Sequence, residues 1–210
     1  MDINYDILYT FIIASTALAI SPGPDNIYVL MQSIVNGKKY GFATVMGLMA
    51  GCFVHTTLVA FGVSAIIKQS DLLFFIIKLF GALYLFFLAF RVFRSDDALN
   101  LEAETVEKKS LSQLFKQGFI MNVLNPKVSI FFLAFFPGFL FSKTISNVVQ
   151  FYVLGILFVL TGIFVFGSIA VLAGAISGYL KKSSKVGVVL KWLQIIVFIG
   201  IGIFILLSEK

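Results

Sequence analysis

The sequence predicts an all-α membrane protein. Six transmembrane helices are expected, arranged as two inverted three-helix repeats, with helices 1 and 4 broken at proline motifs. Three observations predict this. The composition is too apolar for a soluble core, the charges cut the chain into six apolar stretches, and two overlong stretches carry prolines at matching places. Of 210 residues, 60% are hydrophobic and 12% charged, with a mean hydropathy of +1.02. Soluble domains hold roughly 45–50% apolar and about 25% charged residues. A chain of this length cannot hide the excess in one water-surrounded core, because surface shrinks too slowly with size. A soluble enzyme and a nucleic-acid binder are thereby excluded, despite a net charge of +6. The basic excess is read against a lipid bilayer instead. A single cysteine, Cys52, excludes an internal disulfide and a two-thiol relay within the chain.

A helix crosses the hydrocarbon layer with about 20 apolar residues. The apolar stretches run over 5–35, 40–67, 72–93, 114–141, 148–180 and 186–207. In the first, Ala17-Leu18-Ala19 loosely fits a signal-cleavage site. The preceding charges are Asp2 and Asp6, however, and a signal peptide needs a basic leading segment, so the stretch is read as a retained span. Ser21-Pro22-Gly23-Pro24 sits near its midpoint, and Asn125-Pro126 sits near the midpoint of 111–141. Roughly 31 residues at ~1.5 Å each exceed the ~30 Å hydrocarbon layer, which places both breaks near the bilayer centre. The polar linker 95–110 divides the chain into a first repeat, 1–94, and a second, 111–210. The third spans match loosely, Lys78-Leu79-Phe80 against Lys191-Trp192-Leu193. Three spans per half forces the halves into opposite orientations, an architecture common in secondary transporters.

Orientation follows from basic residues near span ends. The side that holds the loops after spans one, three and five has eleven: Lys38, Lys39, Arg91, Arg94, Lys108, Lys109, Lys116, Lys181, Lys182, Lys185 and Lys191. The opposite side holds three: Lys68, Lys143 and Lys210. The first set is expected in the cytoplasm and both termini outside.

Proline lacks an N–H and clashes with the carbonyl one turn back. The amides and carbonyls freed at each break persist only where protein or a watery cavity satisfies them. Half-helix ends then point partial charges into that cavity, which suits a small zwitterion or ion. Asp25 is the one acid deep inside a span, and Lys127 follows Pro126 directly, so opposite charges stand at near-equivalent points of the two halves. Ionisable groups inside a membrane are functional candidates by default. Asp25 suits an amino group or a proton, and Lys127 a carboxylate. Two other readings stay open: a fixed Asp25–Lys127 ion pair, or Asp25 as a helix cap. Asn122 and Asn125 add amides that both donate and accept. His55, the one histidine, has an unperturbed pKa of about 6.5 that suits a proton relay, against the alternative of a hydrogen-bonded core histidine. Lys78 is a weaker candidate that can snorkel outward. Gly47-x-x-x-Gly51 and Gly174-x-x-x-Gly178 read as faces for close helix approach, with a place along a solute path as the alternative for Gly47 and Gly51. The 25 phenylalanines are read as mostly lipid-facing bulk. No metalloprotease, nucleotide-binding or metal-cluster motif is present, and no nucleophile has an identifiable base.

At these residues the chain resembles the LysE/RhtB family of bacterial amino-acid exporters. The resemblance rests on Ile20-Ser21-Pro22-Gly23-Pro24-Asp25-Asn26, then Gly41 and Gly47-x-x-x-Gly51. It continues in Gly118-Phe119-x-x-Asn122-x-x-Asn125-Pro126-Lys127, Phe131-Phe132 and Pro137-Gly138-Phe139, with a weaker piece at 78–85. Gln194 departs from the pattern, standing where the first half has Gly81. The resemblance implies secondary export of amino acids or close derivatives across the bacterial cytoplasmic membrane, driven by proton motive force, without enzymatic activity, cofactor or resident metal. The expected solute site comprises Ser21, Pro22, Gly23, Pro24, Asp25, Asn26, Asn122, Asn125, Pro126 and Lys127. Protons are expected to couple at Asp25 or His55, and lipid is the surrounding partner. A homo-oligomer stays open, as do a metal-cation exporter and a non-transporting membrane scaffold.

Overall fold

A computed structural model describes residues 2–95, 109–182 and 184–207. Most of the expected linker, together with Lys108 and Lys210, lies outside the described residues. All regular structure among the described residues is helical. The helices are α1 (Tyr5–Ile20), α2 (Pro24–Asn36), α3 (Lys38–Leu58), α4 (Ser64–Gln69), α5 (Asp71–Arg94), α6 (Leu111–Val123), α7 (Pro126–Ile130), α8 (Asn147–Lys182) and α9 (Ser184–Leu207). A π-helical turn, Val59–Val63, joins α3 to α4. After α7 the chain continues through a second π-helical segment, Phe131–Phe135, and a tight turn of 3-10 helix, Phe136–Phe139.

Four helical segments are long and apolar enough to cross a membrane: Lys38–Ile66, Asp71–Arg94, Asn147–Ile176 and Val188–Leu207. Two bent pairs raise the number to six when each pair counts as one span. Tyr5–Ile20 and Pro24–Asn36 meet at 62°, and Leu111–Val123 and Pro126–Phe139 at 51°. The expected breaks in helices 1 and 4 are both present.

Around the breaks, α1 packs on α8, α2 lies against α3 and α8, and α3 packs on α6 and α8. To one side, α5 pairs with α9 and touches the π-helical segment after α7. In lipid, apolar contact between helices gains little from water release, so close packing and polar contacts hold a bundle together. The α3–α6 seam is built this way. A Cβ on Gly47 would strike the Phe115 carbonyl, one on Gly51 would lie 2.7 Å from Asn122 Oδ1, and one on Gly118 would strike the Thr44 carbonyl. These glycines let two backbones touch. Gly174 does not follow the same expectation, since nothing lies within 4 Å of its Cβ position.

The phenylalanine expectation also needs correction. Phe80 and Phe164 are exposed on the apolar exterior, but Phe11, Phe131, Phe132, Phe135, Phe136 and Phe139 are fully or almost fully buried in one cluster. They stack on one another because the bend at Pro126 turns the segment Pro126–Phe139 inward against α1. The loop after this cluster is held by Gln150, which is completely buried on α8. Its Oε1 accepts from the Phe141 and Ser142 amides (2.7 and 2.9 Å), and its Nε2 donates to the Ser142 and Ile145 carbonyls (2.9 and 2.7 Å).

Candidate functional site at the two breaks

The first break is set by local sterics. A residue before proline is pushed out of the helical region, and Ser21, before Pro22, has φ −57° and ψ 116°. Its N–H still reaches back to the Ala17 carbonyl at 3.0 Å, closing α1. Gly23 is extended and Pro24 opens α2 at the position where its missing N–H does no harm. The Ala19 carbonyl, freed by the break, accepts from Asn26 Nδ2 at 2.8 Å. No side chain caps the N-terminus of α2. Asp25 therefore lies in its first turn, favoured by the helix dipole, but does not cap it.

The second break repeats the logic with different partners. Asn125, before Pro126, is extended, and its Oδ1 accepts from the Lys127 amide at 3.0 Å, capping α7. The Asn122 carbonyl at the end of α6 meets His55 Nε2 at 3.1 Å. A carbonyl only accepts, so that nitrogen carries the hydrogen. Asn122 Nδ2 points to Cys52 Sγ at 3.5 Å.

The two bends bring the breaks together, and each reaches across to the other. Asn125 Nδ2 donates to Asp25 Oδ2 at 2.9 Å, and Lys127 Nζ donates to the Ser21 carbonyl at 3.3 Å. The ammonium also lies 5.2 Å from the centre of the Phe198 ring. No hydrogen bond among the described residues joins Asp25 to Lys127 directly, though each lies within the other's electrostatic reach. A small chamber of about 40 Å³ opens between them. It is far smaller than the ~300–1,000 Å³ of ordinary ligand pockets. Among the described residues, three buried polar atoms at the breaks have no partner: Asp25 Oδ1, Ser21 Oγ and Asn122 Oδ1. Unsatisfied buried groups are expensive, and two of these three, Asp25 Oδ1 and Asn122 Oδ1, belong to residues that line the chamber.

Of the residues expected from sequence, Gly23, Pro24, Asp25, Asn26, Asn122, Asn125 and Lys127 line the chamber. Ser21 contributes its carbonyl from behind the wall, while Pro22 and Pro126 shape the turns. His55, Gly47 and Gly51 stand behind Asn122 and α6 rather than at the chamber. Lys78 is buried elsewhere on α5, its ammonium 5.7 Å from the Phe74 ring. Sequence reasoning missed the chamber walls supplied by α8, Phe158 and Gly162, and the Phe198 ring from α9. α8 carries five glycines in its sequence, so nothing local singled out Gly162.

The family model for LysE type translocators matches residues 16–209, a range that contains both breaks and every chamber residue. The chain belongs to the LysE type translocator family. A homoserine/homoserine lactone efflux protein of Salmonella typhimurium is 31% identical to this LysE-type chain over 173 residues, 82% of this chain and 83% of that protein. A leucine efflux protein of Salmonella choleraesuis is 28% identical over 189 residues, covering 88% and 87% of the two chains. No solved structure gives a significant match.

Proposed function

We propose that this protein exports a neutral amino acid or a close derivative from the bacterial cytoplasm, holding it between the two helix breaks. The observation that carries the reading is the meeting of one carboxylate and one ammonium from different rods in a chamber with unpartnered polar atoms. An α-amino group fits Asp25 Oδ1, the oxygen left free beside the Asn125 contact. An α-carboxylate fits Lys127 and the uncapped amides at the start of α2, since the ammonium lies close to Gly23. The remaining wall is apolar, with Leu18, Leu48, Met49, Val128 and Phe166, and offers no further charge for a charged side chain. The relatives named for homoserine, its lactone and leucine efflux support a cargo of that chemistry.

The present chamber is too small for an amino acid, so transport requires its walls to separate first toward one face and then the other. The packing supports reading the chain as two inverted repeats, 1–94 and 111–210, joined by the linker. The first rod (α1–α2) lies on α8 of the second half, the second rod begins with α6 on α3 of the first half, and α5 pairs with α9. Rocking of one half against the other is the expected motion. Proton antiport belongs to the same reading, with a proton competing at Asp25 when the chamber opens outward. His55, tied to the carbonyl exposed at the second break, serves better as a structural tether than as a relay. The orientation with both termini outside is retained from the charge asymmetry. A cation exporter is disfavoured by the ammonium within the chamber, and a metal-tolerance assay run beside amino-acid efflux separates the two. The direct test is efflux from cells preloaded with dipeptides. Faster release of a neutral amino acid, lost in Asp25→Asn and in Lys127→Ala, is the expected result. Full proton-dependent efflux by Asp25→Asn would rule out coupling at that carboxylate.

A further inference from the structure

A second, larger cavity of about 380 Å³ lies on the face to which the charge count assigns the termini. Two half-rods run antiparallel between it and the central chamber. On α1, Ile7 lines the outer cavity and Leu18 the chamber. On the second rod, Lys127 lines the chamber, and Leu140, thirteen residues on, lines the outer cavity. At ~1.5 Å per helical residue the two spaces lie roughly 20 Å apart. The interval is filled by stacked rings. Phe158, a chamber wall, lies 5.0 Å from Phe132, which stacks on Phe136 at 4.1 Å. Phe136 meets Phe11 at 5.1 Å, and Phe11 meets Phe139 at 5.3 Å, beside the outer cavity's wall. Within the same interval, one turn beyond Phe11 on α1, Ser15 is completely buried and its hydroxyl has no partner. A hydroxyl left free in this way can turn to a passing polar group.

We propose that the outer cavity is the exit vestibule for the exported solute, and that these stacked phenylalanines form the outer gate between it and the central chamber. The proposal rests on the export reading above. The vestibule carries one acidic and one basic side chain, Asp2 and Lys143, over a floor of Ile7, Phe74 and Phe141. That lining suits a small zwitterion with an apolar side chain. Of the gate rings, Phe132 stands in the π-helical segment, a geometry with wider turns than the α-helix that is often found at functional sites, and Phe136 and Phe139 stand in the 3-10 turn that follows. Opening requires the rings to part, whereas nothing covalent or charged holds them.

The test uses thiol accessibility in intact cells, which needs no knowledge of the cargo. The native thiol is removed by Cys52→Ser, and either Met49→Cys (chamber) or Leu140→Cys (vestibule) is introduced. A charged, membrane-impermeant thiol reagent is then added outside. Leu140→Cys is expected to react readily and Met49→Cys slowly. Adding Phe136→Ala is expected to speed Met49→Cys labelling about tenfold, because a lost stack shifts the closed population toward open forms, while the Leu140→Cys rate stays unchanged. Phe136→Leu keeps apolar bulk and serves where the alanine variant fails to fold, with the same direction of effect. Met49→Cys labelling unmoved by both variants overturns the gate. Leu140→Cys reacting only in inverted vesicles overturns the vestibule. Efflux measured in parallel separates this from the parent reading. Gate-dependent labelling without amino-acid efflux upholds the gate and sinks the cargo. Efflux with unmoved labelling does the reverse.

Discussion

After Pro24 the first rod continues as α2 and carries Asp25, Asn26, Tyr28, Gln32, Ser33 and Asn36 within 13 residues. After Pro126 the second rod continues with a charge and then Phe131, Phe132, Phe135, Phe136 and Phe139. The breaks are alike, but the half-rods leading away from them are opposite in character. On α2 the amides form a ladder along one face, Asn36 donating to Gln32 at 3.0 Å and Gln32 to the Tyr28 hydroxyl at 3.1 Å. Such groups exchange hydrogen bonds with a hydrated guest at little cost, whereas phenyl rings offer none. The difference teaches that a proline break leaves backbone groups free in either setting, while the residues beyond it decide the character of the half-rod. The first is polar and the second is dry.

Five substitutions bear on this contrast. The largest effect is expected at the feature the rods share. Asp25→Asn and Lys127→Ala should each lower amino-acid efflux on the order of 100-fold, the scale of one or two charge-assisted hydrogen bonds, with protein levels in the membrane unchanged. Loss in only one of the two would show that a single rod grips the solute. Next comes the polar half-rod. Gln32→Leu removes the middle of the ladder without adding bulk, and the initial efflux rate should fall about tenfold. An unchanged rate would mean that the polarity of α2 serves packing alone. Third is the capping difference. Asn125→Ala removes the α7 cap and the contact to Asp25, and thermal unfolding in detergent should show a loss of about 1 kcal/mol. The smallest effect is expected at Gly23→Ala. The backbone there is extended, and a Cβ would meet only Asn26 Oδ1 and Lys127 Nζ at 3.7 Å. Stability should fall by about 0.5 kcal/mol, because alanine is a poorer N-cap than glycine.

The breaks and their charges are legible in the sequence because proline, aspartate and lysine are chemical outliers within apolar runs. The cap formed by Asn125 is readable for the same reason, since its place before Pro126 is local. Its second contact, to Asp25, is not readable, because it depends on how far both rods bend. The phenylalanines read as exterior bulk, and for the buried cluster that reading is wrong. A ring facing lipid and a ring in a dry interior satisfy the same physics, so composition cannot separate them in a membrane protein. Gly174 departs from expectation for a related reason: a small residue permits a close neighbour but does not summon one.

Gln150 has a consequence for motion. With both ends of its amide engaged by backbone between Phe141 and Ile145, the connection leading into α8 is braced on the helix it precedes. In the export reading proposed above, a connection tied down in this way would not fold over a departing solute. The moving parts would then be the rods, with this connection as the fixed frame against which they turn.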